Sequence, residues 1–231
     1  MRTFPTYTAE QKAQFRAEGL VEIREYVEKW IGDPKAPSRN SIMIQQFVMK
    51  CLEAAPLYFW YIPSSMTGKY HPNWGLGEGG LLRHVVFGMY NAYELADTFG
   101  LTIDQRDIAV AAMALHDTCK YGLHDDPDEG YYNAHPVLPR ILYASPRHED
   151  HQFHKEIPLA AANAIFDAIE THMGNIAKGG WVNIGSEGPN NRFRPQSSVE
   201  IVVHLADYNA SRPGIYFADF LPPEITSQEG I

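Results

Sequence analysis

Apolar residues recur three and four positions apart in run after run, and this spacing predicts a chain built of helices. Phe15, Leu20, Val21, Ile23, Val27 and Ile31 give an apolar face to residues 8–31, and Thr8 with Gln11 fits a capping box at its start. Gly32-Asp33-Pro34 ends that helix. A second helix over 41–55 turns Ile44, Phe47, Val48, Cys51 and Leu52 inward and stops at Pro56. Leu81, Val85, Met89 and Leu95 predict a long helix over 81–99. Thr102 with Gln105 opens the next near Ile103, with Ile108, Ala111, Ala112 and Leu115 on its buried side. Leu159, Ala162, Ile165, Ala168 and Ile169 predict another over 157–172, stopped by Gly174. Ser197 and Glu200 fit a capping box for the last, which bears Val199, Ile201, Val202 and Leu205.

The stretches between these helices differ in kind. Residues 57–63 are aromatic, and 64–72 are small, polar and glycine-broken, with Lys69 and His71 as their cation and imidazole. Lys69 and His71 read either as contacts to a substrate or as parts of a solvated loop pinned by its aromatics. Four glycines fall within 75–80 without a GxxxxGK[ST] pattern, so this is no phosphate-binding P-loop. Asp125, Asp126, Asp128 and Glu129 lack the alternation of a calcium loop, and residues 121–134 read as a solvated lid. His148, His151 and His154 stand among charged residues without apolar periodicity and read as surface. Residues 177–195 are rich in Gly and Asn, with Trp181, Val182 and Ile184 predicting a short β-hairpin. The fold class is all-α, a helical bundle with that small insert.

Composition narrows the partners. The 231 residues, 45% of them hydrophobic, suffice for a full-sized core. Cys51 and Cys119 form no CxxC pattern and read as reduced thiols of a cytoplasmic protein. No basic stretch leads into an apolar one and no apolar run nears eighteen residues, so neither export nor membrane spanning is expected. A formal charge of −9 with no basic stripe argues against a grip on long nucleic acid, while a small anion entering a locally positive pocket stays compatible with it.

The chemistry-bearing residues lie near the predicted helix ends. Adjacent His116 and Asp117 close an apolar run, and Lys120 follows three residues later. One imidazole and one carboxylate from a rigid point are a start for a divalent-metal site. His84 falls in the first turns of its helix, and antiparallel packing of the two helices around Gly100 brings it toward His116. His135 precedes a proline suited to a helix start, His172 ends a helix, and Asp207 sits on an apolar helix where a bare carboxylate needs a partner.

The ordered set GGLLRH (79–84), His116-Asp117 with Lys120, His135-Pro136, Glu170-Thr171-His172 and HLADYNASR (204–212) resembles the HD superfamily of metal-dependent phosphohydrolases. Its phrasing is closest to stand-alone bacterial and phage members, and more distantly similar to the HD module of certain 3′-to-5′ exoribonucleases. The resemblance implies an HD domain over 67–213, a helical extension over 1–66 that serves as scaffold or as an oligomerisation surface, and a tail over 214–231. It implies that His84, His116, Asp117 and Asp207 hold a divalent cation, one of Mn²⁺, Fe²⁺, Mg²⁺ or Zn²⁺. His135 and His172 then either bind a second ion, with Asp117 shared, or contact phosphate and protonate the leaving oxygen. Lys120 is placed to neutralise phosphate charge or orient water, with Arg83, Arg140 and Arg212 as secondary anion contacts. The implied activity is hydrolysis of a phosphoester or phosphoanhydride of a nucleotide by metal-activated water. The alternatives are a phosphodiesterase or exonuclease on cyclic nucleotides or short oligonucleotides, and a nucleotide-binding module without catalysis.

Overall fold

The computed structural model describes residues 4–33, 35, 38–65, 71–127, 135–145, 151–174 and 195–212. Among them the fold is all-α, with helices α1 (Ala9–Trp30), α2 (Arg39–Glu53), α3 (Gly80–Thr98), α4 (Ile103–Leu115), α5 (Leu138–Ala144), α6 (Leu159–Thr171) and α7 (Ser198–Ala210). Short 3-10 turns occupy Leu57–Trp60, Asn73–Gly75, His135–Val137 and Phe153–Glu156. The hairpin expected over 177–195 falls almost wholly outside the described residues, as do Lys69, His148 and the tail. No helix among the described residues is long and apolar enough to cross a membrane.

Helix starts follow local chemistry. Thr8 Oγ1 accepts from Gln11 N–H while Gln11 Oε1 accepts from Thr8 N–H, and Thr102 and Gln105 repeat the exchange at α4. At α7 the box is half made. Ser197 Oγ accepts from Glu200 N–H, but the Glu200 carboxylate takes the Gln196 N–H and the Ser197 hydroxyl instead of the Ser197 N–H. Helix α2 starts two residues before the expected Ser41, because Ser38 supplies the cap.

Packing puts α4 at the centre. It packs against α2, α3, α6 and α7. Ala109 to Leu115 are therefore buried on every side, where the sequence pattern predicts one buried face. A continuous hydrophobic core takes in α1 and α2 (Ile23, Val27, Phe47, Leu52) together with α3, α4, α6 and α7 (Val85, Val110, Ile165, Val202). Where α1 ends and α2 begins, Asp107 of α4 is fully buried and accepts from Gly32 N–H at 2.7 Å and Ser41 Oγ–H at 2.6 Å. That junction fixes both N-terminal helices on the central one.

The aromatic turn at 57–60 reaches the loop after the His-Asp pair. Tyr58 O–H donates to the Gly122 carbonyl at 2.7 Å and accepts from Tyr121 N–H at 3.0 Å. Asp125 takes the Leu57 N–H on its carboxylate and the Tyr58 N–H on its carbonyl, and Asp126 pairs with Lys12. Part of the acidic cluster thus ties this loop to the N-terminal region instead of standing free as a lid; Asp128 and Glu129 lie outside the described residues. His151 and His154 are half-buried, not surface.

Candidate metal centre

Five elements deliver six side chains to one buried point. His84 sits in the second turn of α3, and His116 is the residue that ends α4, with Asp117 and Lys120 in the tight turn that follows. His135 opens the 3-10 turn before α5, His172 ends α6, and Asp207 lies on α7. All six ligand-type residues are at most 3% exposed, and Lys120 is 7% exposed.

The distances divide them into two sets sharing Asp117. His84 Nε2 lies 3.3 Å from His116 Nε2 and 3.2 Å from Asp207 Oδ1, and His116 Nε2 lies 3.6 Å from the same oxygen. Asp117 Oδ2 is 3.5 Å from both imidazole nitrogens. On the other side, Asp117 Oδ1 stands 3.1 Å from His135 Nε2 and 3.9 Å from His172 Nε2, which are 3.2 Å from each other. Donor atoms bound to one cation at about 2.1 Å must lie roughly 3.0–3.4 Å apart in octahedral or tetrahedral arrangement. The first set approaches that spacing, and the groups His84, His116, Asp207 and His116, Asp117, His172 could each hold a metal ion.

Ring orientation favours the same use. His116 Nδ1–H donates to the Met113 carbonyl at 2.8 Å and His172 Nδ1–H to the Ile169 carbonyl at 2.6 Å. Each acceptor is a carbonyl in the last turn of a helix, three residues back, and the Ile169 carbonyl also takes the His172 backbone N–H at 3.3 Å. A carbonyl can only accept, so the proton belongs on Nδ1 and the Nε2 lone pair faces the centre. His204 Nδ1–H in turn donates to the His172 carbonyl at 2.7 Å, and Gly174, at φ 61°, leaves room for the His204 ring. The C-termini of α4 and α6 both end here, and their negative dipole ends add to two carboxylates in favouring a cation.

Burial opposes charge throughout, and the neighbours decide the outcome. Burial disfavours ionised Asp117, yet Lys120, whose Nζ–H donates to Oδ2 at 2.6 Å, and then His116 hold the carboxyl well below the ordinary range. Asp207 is held well down against its own burial by His116 and His84. Lys120 loses some proton affinity to burial and regains more from Asp117, so it stays charged. Burial lowers His84, and pushes His172 down to about 3 with His116 adding to it. His116 is raised, because Asp117 and Asp207 outweigh burial. Asp117 Oδ1 is buried and, although His135 Nε2 is close, accepts no well-aligned hydrogen bond. An orphan carboxylate oxygen facing two imidazoles fits a cation's ligand shell.

The other sequence-derived positions fall elsewhere. Arg83 Nε–H donates to the Trp74 carbonyl at 2.9 Å, bracing the loop before α3, with Glu22 and Glu78 acting on its charge. Arg140 donates to Glu170 and Asp167, both at 2.6 Å, and so links α5 to α6. Arg212 lies over the Tyr208 ring at 3.9 Å. His71 packs against His84 and borders the centre. The residues that sequence reading passes over are those that hold the ligands in place: the Met113 and Ile169 carbonyls, Tyr58 and His204. A histidine on the last residue of a helix is the one signal that could have found the first two. Comparison with protein-family models, with curated proteins and with solved structures returns no match.

Proposed function

We propose that this chain is an HD-type metal-dependent phosphohydrolase that cleaves a phosphoester or phosphoanhydride of a nucleotide. One observation carries the reading: each oxygen of the buried Asp117 carboxylate faces a separate set of imidazoles, and a lysine is fixed on one of those oxygens. Simple scaffolding does not call for four histidines and two carboxylates buried together, since burying them costs free energy. His84, His116, Asp117 and Asp207 would hold one divalent cation, and His135 and His172 would hold a second with Asp117 shared between them. A cation there would polarise a phosphoryl oxygen and acidify a coordinated water. Mn²⁺, Fe²⁺, Mg²⁺ and Zn²⁺ all suit nitrogen and oxygen donors of this kind.

The protein's own groups supply the rest. Lys120 stays charged beside the centre and offers electrostatic stabilisation to a phosphoryl group whose charge spreads during transfer. The buried walls keep the local dielectric low, which strengthens that interaction. Cys51 and Cys119 are buried free thiols, in keeping with a reducing, cytoplasmic setting. The formal charge of −9 favours a mononucleotide over a long polynucleotide.

Asp117→Ala removes the shared carboxylate and is expected to abolish both metal retention and hydrolysis. The assay is metal content by atomic absorption, alongside phosphate release from a panel of mononucleotides, cyclic nucleotides and short RNA with Mn²⁺ or with chelator. Full activity in the variant ends the proposal. Hydrolysis confined to cyclic nucleotides or RNA transfers the reading to a phosphodiesterase, and nucleotide binding without turnover in any divalent metal transfers it to a binding module.

A further inference from the structure

Residues 74–79, which follow His71, are tied to the body of the protein. Ser64 N–H and Ser64 Oγ–H both donate to the Gly75 carbonyl at 2.8 Å, and Gly79 N–H donates to the Tyr61 carbonyl at 3.1 Å. The Arg83 brace on Trp74 adds a further tie. At the head of this stretch stands His71, its ring edge-on to His84 with centroids 5.2 Å apart. Both of its ring nitrogens are buried, and neither has a hydrogen-bond partner among the described residues.

A neutral imidazole carries one N–H donor and one acceptor nitrogen, and burying both unpaired is costly. Scaffold histidines avoid this, as His204 does on the His172 carbonyl. His84, His116, His135 and His172 each stand 3.9 Å or less from Asp117 or Asp207, and His71 has no such contact among the described residues. It is set back from the ligand sets, where a group would touch what the cation binds.

We propose that His71 is a substrate-contacting residue whose ring N–H donates to a non-bridging phosphoryl oxygen of the phosphoester held at the His/Asp centre. The assignment rests on the reading of that centre as a metal-dependent phosphohydrolase site. The acceptor nitrogen takes its hydrogen from a ligand hydroxyl or from water. Lys120 supplies the charge beside the centre, and an imidazole N–H adds direction.

The test uses inorganic phosphate as the probe, titrated calorimetrically into the full chain loaded with Mn²⁺, with bound Mn²⁺ measured separately. His71→Ala is expected to weaken phosphate binding by at least about ten-fold, the size of a lost hydrogen bond to a charged group, with Mn²⁺ content unchanged. His71→Gln, which keeps an N–H donor, is expected to recover part of the affinity, and His71→Met, similar in bulk without a donor, to recover none. That pair also carries the comparison if the alanine variant fails to fold. Phosphate affinity within two-fold of the parent in both the Ala and Met variants overturns the proposal and leaves His71 as packing. Loss of Mn²⁺ from those variants overturns it too and makes His71 a metal-positioning group. A parent chain that takes up no divalent cation sinks the metal-centre reading first, and this one with it, whatever the variants do.

Discussion

Asp107 and Asp117 lie ten positions apart, both buried, and are driven in opposite directions. Asp117 has Lys120 on it and is held ionised. Asp107 has two neutral donors, Gly32 N–H and Ser41 Oγ–H, with the Arg106 guanidinium farther off at 4.0 Å, and burial raises its carboxyl above the ordinary 3.8 despite all three. Removing the acceptor with Asp107→Ala leaves both donors buried and unpaired, and is expected to destabilise the chain by about 2–4 kcal/mol in urea unfolding. The sign of the pH effect follows from linkage. The folded state binds the Asp107 proton more tightly, so the unfolded chain holds fewer protons between its own pKa and the raised one. Stability contributed by this site therefore falls as pH rises from about 3.8 through the folded value. Asp107→Asn cannot titrate, so stability of parent minus variant is expected to decline across that window. A flat difference would show that Asp107 titrates normally. Nothing in the sequence marks this residue, because its partners sit 66 and 75 positions upstream. Asp117 was legible because its partner Lys120 is three positions away.

Elements whose signals are local were legible, and those set by packing were not. Helices α1 and α4 announce their starts through Thr-x-x-Gln boxes that form as read. The central position of α4 is hidden, since a helix buried on all sides shows no single apolar face. The acidic stretch after Lys120 reads as solvated because the groups that engage it, Lys12 and the Leu57 and Tyr58 backbone, come from far upstream. Two glycines of α3 look alike in sequence and differ in what faces them. A Cβ on Gly80 would meet the Gly75 carbonyl oxygen at 2.1 Å and Pro63 Cα at 3.2 Å, backbone that cannot step aside. Gly80→Ala is expected to cost about 3 kcal/mol or more and to loosen the stretch that presents His71. A Cβ on Gly88 would meet only the end of the Met113 side chain, at 2.2 Å. Met113 can re-rotamer, and alanine gains about 1 kcal/mol of helix propensity, so Gly88→Ala is expected within about 1 kcal/mol of the parent. Thermal melts of the two variants check the contrast, and equal losses would contradict it.

For the molecule as a whole, the centre is where separate helices end or cross, and this convergence shapes its stability. The candidate ligands were named through the HD resemblance, and their place near predicted helix ends agrees with how helical bundles face side chains inward. What the sequence does not carry is the fastening of the rings, His116 on the Met113 carbonyl and His172 on the Ile169 carbonyl, since it depends on how each helix ends. The fold buries two carboxylates, Lys120 and four imidazoles together, with the C-termini of α4 and α6 ending on them. A divalent ion that binds only the folded chain adds about 2.7 kcal/mol at a hundredfold excess over its Kd. For a chain of this length that corresponds to a rise of roughly 5–10 °C in Tm. Chelator-treated protein is therefore expected to melt lower and to recover on adding Mn²⁺, Mg²⁺ or Zn²⁺. Asp117→Ala should lose the response, whereas Asp126→Ala, which removes only the pairing with Lys12, should keep it. If no divalent cation moves the melting point of the parent chain, the buried cluster is a polar core and not a metal centre.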